Sequence, residues 1–191
     1  EDHDYIAALM GAGRYQDAAR EAATTYRLSG KLPFARIHLR ARALHDPEAA
    51  LGEYKEYFST LKDAEIGLDY ALLLRTFKRP AEALALCREL LDSNVMGPDY
   101  TVRLLTCRLN AELGEKERAA GCYQHLVQDA LRNLDNHDFL SGLLASYREF
   151  VLTYYPVREA ETRFLSIVLS HPHAVSLLAT ARLYEDIGDL S

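Results

Sequence analysis

The sequence predicts an all-α fold. Its prolines and glycines fall between segments rich in Ala, Leu, Arg and Glu, and these segments favour helices. No stretch alternates apolar and polar residues over several positions between turn signals, so strands are not expected. A short helical motif also recurs along the chain, and this repetition predicts how the helices are arranged.

The recurring motif is four residues long, begins a helix and places an alanine on the buried face. These anchor alanines are separated by 32, 33, 36 and 41 residues and are Ala18, Ala50, Ala83, Ala119 and Ala160. Positions four and seven residues later lie on the same helix face. They hold Ala22, Tyr54, Cys87, Tyr123 and Phe164, and then Thr25, Tyr57, Leu90, Leu126 and Ile167.

Each unit is therefore expected to be a helical hairpin. The small anchor allows a preceding helix to approach closely, and the residues below it fill the space between neighbours. One hairpin buries only part of its apolar surface, so it must stack on the next. The predicted units of this single domain, 1–191, are 1–31, 32–62, 63–97, 98–136, 137–172 and 173–191.

Three segments resemble turns and helices of the tetratricopeptide repeat family, whose period is about 34 residues. The first is 9–15 followed by Ala18, the second is 113–116 followed by Ala119 and Tyr123, and the third is 177–189. The resemblance implies a right-handed α-α superhelix, a solenoid, of about five and a half helix-turn-helix repeats.

Some positions depart from the family pattern. His38 and Arg148 stand where the family prefers Gly or Ala, and the 41-residue spacing implies longer helices or an insertion around 133–138. The last unit resembles a first helix without its second, so we expect the chain to be part of a longer array. Alternatively, Val175 to Ile187 is a solvating cap helix, with Glu185 and Asp186 as its acidic pair.

Composition limits the partners of the chain. With 49% apolar and 26% charged residues, the 191-residue chain can form a sizeable core. The net charge of −6 argues against nucleic acid as a partner, because phosphate binding needs clustered Lys and Arg. No apolar run is long enough for a membrane-spanning helix, so this segment is not expected to insert into a membrane. A cytoplasmic and a periplasmic location both remain open.

The three cysteines, Cys87, Cys107 and Cys122, lack the close spacing of a zinc or redox motif. We expect them to be small buried apolar residues. In an oxidising compartment, one pair could form a disulfide and one thiol would remain.

Motifs of catalysis are not found, so we predict neither an enzyme nor a bound cofactor or metal. The glycines of 11–13 follow a helix rather than a strand, which favours a turn over a nucleotide loop. The His-Pro-His segment 171–173 is expected to be a linker that ends a helix. His137 and Asp138 are expected to lie in a turn with a capping aspartate.

The candidate functional surface is the concave wall of successive first helices, which the family resemblance implies is a peptide groove. Ala35, Ala111 and Leu178 belong to this wall. The candidate partner-binding residues are Leu39, Arg42, Leu68, Leu72, Arg75, Leu104, Arg108, Glu149, Leu152 and Arg182.

Three of these arginines, Arg42, Arg75 and Arg108, recur every 33 residues. In a regular stack they could form a ladder that binds carboxylates or phosphates. The alternative is that they cap helix ends or pair with neighbouring glutamates. His3 and Ala7 replace the Lys and Asn that chaperone-binding members share, so that specificity is not expected.

Six tyrosines are further candidates for a binding surface. Their rings tolerate half-buried positions with the hydroxyl in solvent, so they could form either a binding surface or the core between repeats. We expect core packing for Tyr54, Tyr57, Tyr123, Tyr147, Tyr154 and Tyr155, with the last two as the exception.

The sequence therefore favours a non-catalytic scaffold that binds a peptide or protein in its groove. One alternative is a periplasmic repeat segment of a bacterial envelope or exopolysaccharide export machine, which recruits enzymes or guides polymer. Another is a regulatory or substrate-selecting domain of a larger enzyme. Self-association through exposed terminal repeats is a further possibility.

Overall fold

A computed structural model describes residues 2–93, 100–172 and 174–189. Over these ranges the chain forms eleven α-helices and no strand, which confirms the all-α prediction. The helices belong to two compact units, 1–97 and 98–191.

Unit 1 contains α1 (Asp2–Gly11), α2 (Tyr15–Ser29), α3 (Leu32–His45), α4 (Pro47–Leu61), α5 (Ala64–Thr76) and α6 (Pro80–Asp92). Unit 2 contains α7 (Tyr100–Glu112), α8 (Lys116–Asn133), α9 (His137–Tyr154), α10 (Val157–Val168) and α11 (Ala174–Asp189). None of the helices, as far as the structure describes them, is long and apolar enough to cross a membrane.

Within each unit, consecutive helices pack against one another, as expected for a series of hairpins. Helices two apart also touch: α3 packs on α5 in unit 1, while α8 packs on α10 and α9 on α11 in unit 2. First helices thus contact first helices, and second helices contact second helices.

The anchor alanines pack where the recurring motif predicts. Each begins the second helix of a hairpin and is fully buried: Ala18, Ala50, Ala83, Ala119 and Ala160. Four residues later the side chains are buried as well, from Ala22 and Tyr54 to Phe164. The motif therefore identifies buried positions near the start of the second helices in both units.

Side chains and turn conformations fix the helix ends. Asp46 accepts a hydrogen bond from the backbone N–H of Ala49 and begins α4, and Asp63 begins α5 by the same geometry. The cap of α9 is Asn136 rather than the expected Asp138, which lies inside the helix. At the end of α2, Gly30 adopts a φ of 67°, a conformation that suits glycine.

Longer helices account for the widest spacing between anchors. Between Ala119 and Ala160, both α8 and α9 have 18 residues, and only 134–136 separate them. The alternative of an insertion around 133–138 is therefore not needed.

An aromatic cluster forms the centre of unit 2. Tyr123 packs with its ring centroid 5.6 Å from that of Tyr147 and 5.0 Å from that of Phe150, and the ring of Phe164 lies 5.5 Å from Tyr147. Tyr54, Tyr123, Tyr147 and Tyr155 are buried, whereas Tyr57 and Tyr154 are half-buried. Core packing is thus confirmed for Tyr54, Tyr123, Tyr147 and Tyr155, the last of which was one of the two expected exceptions. Tyr154 packs against the unit 2 core, and Tyr57 contacts the rings of Tyr26 and His38.

A disulfide joins the two helices of the first hairpin in unit 2. Cys107 of α7 and Cys122 of α8 are bridged with 5.3 Å between their Cα atoms, and Cys87 is a buried thiol in α6. The bridge spans a point where α7 and α8 approach closely, beside the anchor Ala119. One pair of the three cysteines is thus bridged, as expected for an oxidising compartment.

His38 and Arg148, which stand where the family pattern has small residues, form polar contacts between helices. The ring nitrogens of His38 lie 3.0 Å from the carbonyl oxygen of Ala19 and 2.9 Å from a carboxylate oxygen of Glu53. Arg148 forms a 2.7 Å salt bridge from α9 to Asp186 of α11. Each of these two large side chains therefore makes a polar contact with a neighbouring helix.

Candidate functional site

Unit 1 contains an open groove formed mainly by first helices. We call it the unit 1 groove; its volume is about 480 Å³, and it is lined by Met10, Arg40, Ala43, Leu44, Tyr54, Asp69, Leu72, Leu73 and Thr76. Leu44 is 56% exposed and Leu72 41% exposed, so large apolar side chains face solvent here. These two leucines are the apolar side chains that the groove exposes for contact with a ligand.

An ion pair crosses the unit 1 groove. Nε of Arg40 on α3 lies 2.6 Å from a carboxylate oxygen of Asp69 on α5, and the hydrogen bond raises the pKa of Arg40. Tyr54 lies beside this pair, and burial raises the pKa of its hydroxyl. The groove therefore presents an apolar surface with one internally compensated charge pair.

Unit 2 contains a second groove, formed by α7, α9 and α11. This unit 2 groove has a volume of about 560 Å³ and is lined by Arg108, Gly142, Ala145, Ser146, Arg148, Glu149, Leu152, Thr153 and Asp186. Its small residues, Gly142 and Ala145, leave room along α9, and Leu152 supplies apolar contact. The groove carries more charge than the unit 1 groove.

Neutral hydroxyl groups hold Arg108 in the unit 2 groove. Nε of Arg108 donates to Oγ of Ser146 at 3.0 Å, and Oγ of Ser146 lies 2.8 Å from the hydroxyl of Tyr123. Burial raises the pKa of Tyr123, while its bond to Ser146 and the charge of Arg108 act in the opposite direction. The guanidinium thus belongs to a three-residue network that includes the unit 2 core.

The grooves include four of the ten candidate residues. Leu72 lines the unit 1 groove, and Arg108, Glu149 and Leu152 line the unit 2 groove. The remaining six lie elsewhere: Leu39 and Leu104 are buried, Arg42, Leu68 and Arg75 are half-buried outside the groove linings, and Arg182 is exposed on α11. Partner binding by these ten residues stays a prediction.

The predicted arginines have different surroundings. Arg42 pairs with Glu53 of α4 at 2.8 Å, which is the glutamate pairing that the sequence left as an alternative. Arg75 lies in the same unit as Arg42, whereas Arg108 lies in unit 2. A ladder of the three arginines stays a prediction.

Sequence reasoning missed several groove residues. Arg40, Leu44 and Asp69 belong to the unit 1 groove, and Ser146 and Asp186 to the unit 2 groove. For Asp186 a signal was present, because Arg148 at a position for a small residue needs an acidic partner on the adjacent helix. No comparable signal distinguished Arg40 from Arg42.

The linker expected at 171–173 makes a side-chain contact with α8. Nε2 of His171 accepts a hydrogen bond from Nε of Arg132 at 3.1 Å, and His173 lies outside the described residues. In the part of the chain that the structure describes, no group of three or more His, Cys, Asp and Glu side chains is placed to hold a metal ion.

No family model matches the chain, and no curated protein matches it.

Proposed function

We propose that the chain is a non-catalytic scaffold of tetratricopeptide-like repeats that binds a peptide or protein partner in its grooves. The observation that carries the proposal is the composition of the unit 1 groove, in which Leu44 and Leu72 remain exposed between α3 and α5. The exposed leucines can make apolar contacts with a ligand, and the ion pair between Arg40 and Asp69 can orient the polar groups of that ligand.

The repeat arrangement supports this proposal. Five buried anchor alanines begin second helices, and first helices contact first helices within the units. Helices that are preformed limit the ordering cost of binding largely to the ligand.

Selection from a random peptide library tests the proposal. The intact chain is used as bait, and selected peptides are measured against a Leu44→Asp, Leu72→Asp double variant. We expect at least about tenfold weaker binding, a loss of about 1.4 kcal/mol, because the charges remove apolar contact. The matched control is Leu28→Asp on α2, where the leucine is 85% exposed and outside both groove linings.

Two results would contradict the proposal. One is a failure of the intact chain to select any peptide sequence. The other is equal binding of the selected peptides to the double variant and to the wild type, with both proteins folded.

The disulfide favours one alternative, a scaffold located in the cell envelope. Disulfides persist mainly in oxidising compartments such as the periplasm, and Cys107 and Cys122 are bridged. Thiol trapping in intact cells tests this location: a bridged pair and one alkylated thiol are expected after denaturation. Alkylation of all three cysteines would contradict it.

A further inference from the structure

Unit 2 also contains a small cleft between two of its second helices. We call it the α8–α10 cleft; its volume is about 110 Å³, and its lining includes Ala120 and Gln124 of α8, Phe150 and Val151 of α9, and Ser166 and Ile167 of α10. The cleft shares no lining residue with the unit 2 groove. It is therefore a separate site, away from the surface formed by α7, α9 and α11.

The lining of the α8–α10 cleft is apolar inside and polar at the edge. Phe150, Val151 and Ile167 are buried, whereas Gln124 and Ser166 are exposed. Apolar walls with a few polar groups are typical of sites for small molecules. An enclosed cavity of roughly 150 Å³ holds benzene, so a cleft of about 110 Å³ that is open at one edge suits a molecule with one ring.

One polar group in the wall of the cleft lacks a partner. Tyr155 lines the cleft and is only 6% exposed, yet its hydroxyl forms no hydrogen bond with any residue that the structure describes. Tyr147 also lines the cleft, but its hydroxyl donates to the backbone carbonyl of Arg163. A buried hydroxyl without a partner is unfavourable, so the cleft favours a ligand that supplies a hydrogen-bond acceptor.

Two cations hold the ring of Tyr155 in place. Nζ of Lys116 lies 3.8 Å from the ring centroid, and the guanidinium carbon of Arg163 lies 4.1 Å from it. Arg163 is the charged residue of the lining, and Glu159 compensates it at 2.8 Å. A charged ligand would lose hydration here without gaining an unpaired counter-charge from the lining, so a neutral ligand is favoured.

We propose that the α8–α10 cleft binds a small neutral molecule that combines one apolar ring with one oxygen acceptor, such as a phenol. The ring packs on Phe150 and Val151, and the oxygen accepts a hydrogen bond from the hydroxyl of Tyr155. This site does not depend on peptide binding, because it shares no lining residue with either groove.

Titration of the intact ¹⁵N-labelled chain with phenol and with toluene tests the proposal. The two probes have nearly the same shape, but only phenol carries an oxygen. We expect saturable shifts at the backbone amides of Ala120 and Ser166, and about tenfold tighter binding of phenol, because it completes a buried hydrogen bond. Benzoate, which carries a charge, should bind more weakly than phenol.

Substitutions assign the binding to the cleft. Tyr155→Phe should weaken phenol binding about tenfold and leave toluene binding unchanged. It should not lower Tm, because the hydroxyl has no hydrogen bond to lose among the described residues. Ala120→Leu places a larger side chain in the cleft and should abolish binding of both probes. Ala145→Leu makes the same change in the lining of the unit 2 groove and should bind both probes as the wild type does.

Several results would overturn the proposal. Equal affinities of the wild type for phenol and toluene would exclude the hydrogen bond to Tyr155. Shifts that do not saturate with any probe, as expected for a cleft that holds only water, would exclude the site, and so would probe binding that persists in folded Ala120→Leu. If Ala120→Leu does not fold, the ratio of phenol to toluene affinity in Tyr155→Phe decides: an unchanged ratio would contradict the proposal.

Discussion

Arg148 of α9 and Asp186 of α11 form a salt bridge with 2.7 Å between Nε and the carboxylate oxygen. The Arg148 side chain is only 16% exposed, so it depends on Asp186 for compensation of its charge. The pair joins the last described helix to its neighbour and closes one side of the unit 2 groove.

Loss of this salt bridge should loosen α11. Asp186→Asn leaves Arg148 without a charged partner, and we expect unit 2 to lose about 1 kcal/mol of stability. Hydrogen exchange should accelerate at the backbone amides of α11. Glu185→Gln removes the exposed neighbouring charge and serves as the control; equal exchange in both variants would contradict a structural role for the pair.

Two helical glycines should respond to alanine in opposite directions. A Cβ at Gly67 would lie 2.7 Å from side-chain carbons of both Phe58 and Leu90, whereas a Cβ at Gly52 would meet nothing within 4 Å. We expect Gly67→Ala to destabilise the protein by about 1–2 kcal/mol through overpacking. We expect Gly52→Ala to stabilise it by about 0.5–1 kcal/mol through helix propensity. Urea unfolding measures both, and stabilisation by Gly67→Ala would show that α4, α5 and α6 pack less closely.

Lys78 has a backbone conformation that suits glycine. Its φ is 58° in the turn between α5 and α6, and its side chain is exposed. Lys78→Gly should raise the free energy of unfolding by about 0.5–1 kcal/mol, because glycine adopts this conformation without steric cost. Lys55→Gly, at an exposed position inside α4, should lower it by about 1 kcal/mol. Thermal melts that rank the two variants in the reverse order would contradict the turn geometry.

Asp63 should make the stability of unit 1 depend on pH. Its burial opposes ionisation, but hydrogen bonds from Arg36 and from the backbone N–H of Ile66 outweigh this effect and lower its pKa. The lowered pKa contributes stability that is present above the unfolded value of about 3.9 and is lost as pH falls through the folded value.

Asp63→Asn isolates this contribution, because asparagine also caps helices well. Near pH 7 the variant should be about 1–2 kcal/mol less stable than the wild type. The difference should shrink as pH falls below about 4, when the aspartate becomes protonated. Chemical unfolding at several pH values provides the measurement, and a difference that does not change with pH would refute the assignment.

The sequence predicted the helices and their closest contacts better than it predicted the groove linings. A buried alanine at the start of a helix is a local signal, and all five anchors are buried. Groove exposure depends on helix rotation, and one residue corresponds to about 100° around the axis. On α3 the expected Leu39 and Arg42 are each followed by the residue that lines the groove, Arg40 and Ala43.

On α9 the predicted residues are the observed ones, because Glu149 and Leu152 both line the unit 2 groove. The sequence did not predict the pairing of Arg40 with Asp69, because these residues come from helices that are not adjacent in the sequence. Their pairing follows from how α3 packs on α5, and a single sequence does not encode that distance in a recognisable pattern.

Chemical-shift mapping of a selected peptide on the ¹⁵N-labelled chain tests peptide binding in the grooves most directly. We expect the largest changes in backbone amide shifts along groove residues, such as Leu44 and Leu72 in unit 1 or Ser146 and Leu152 in unit 2. Amides near the exposed Leu28 should remain unchanged. Shifts confined to second helices, with none in either groove lining, would contradict the account.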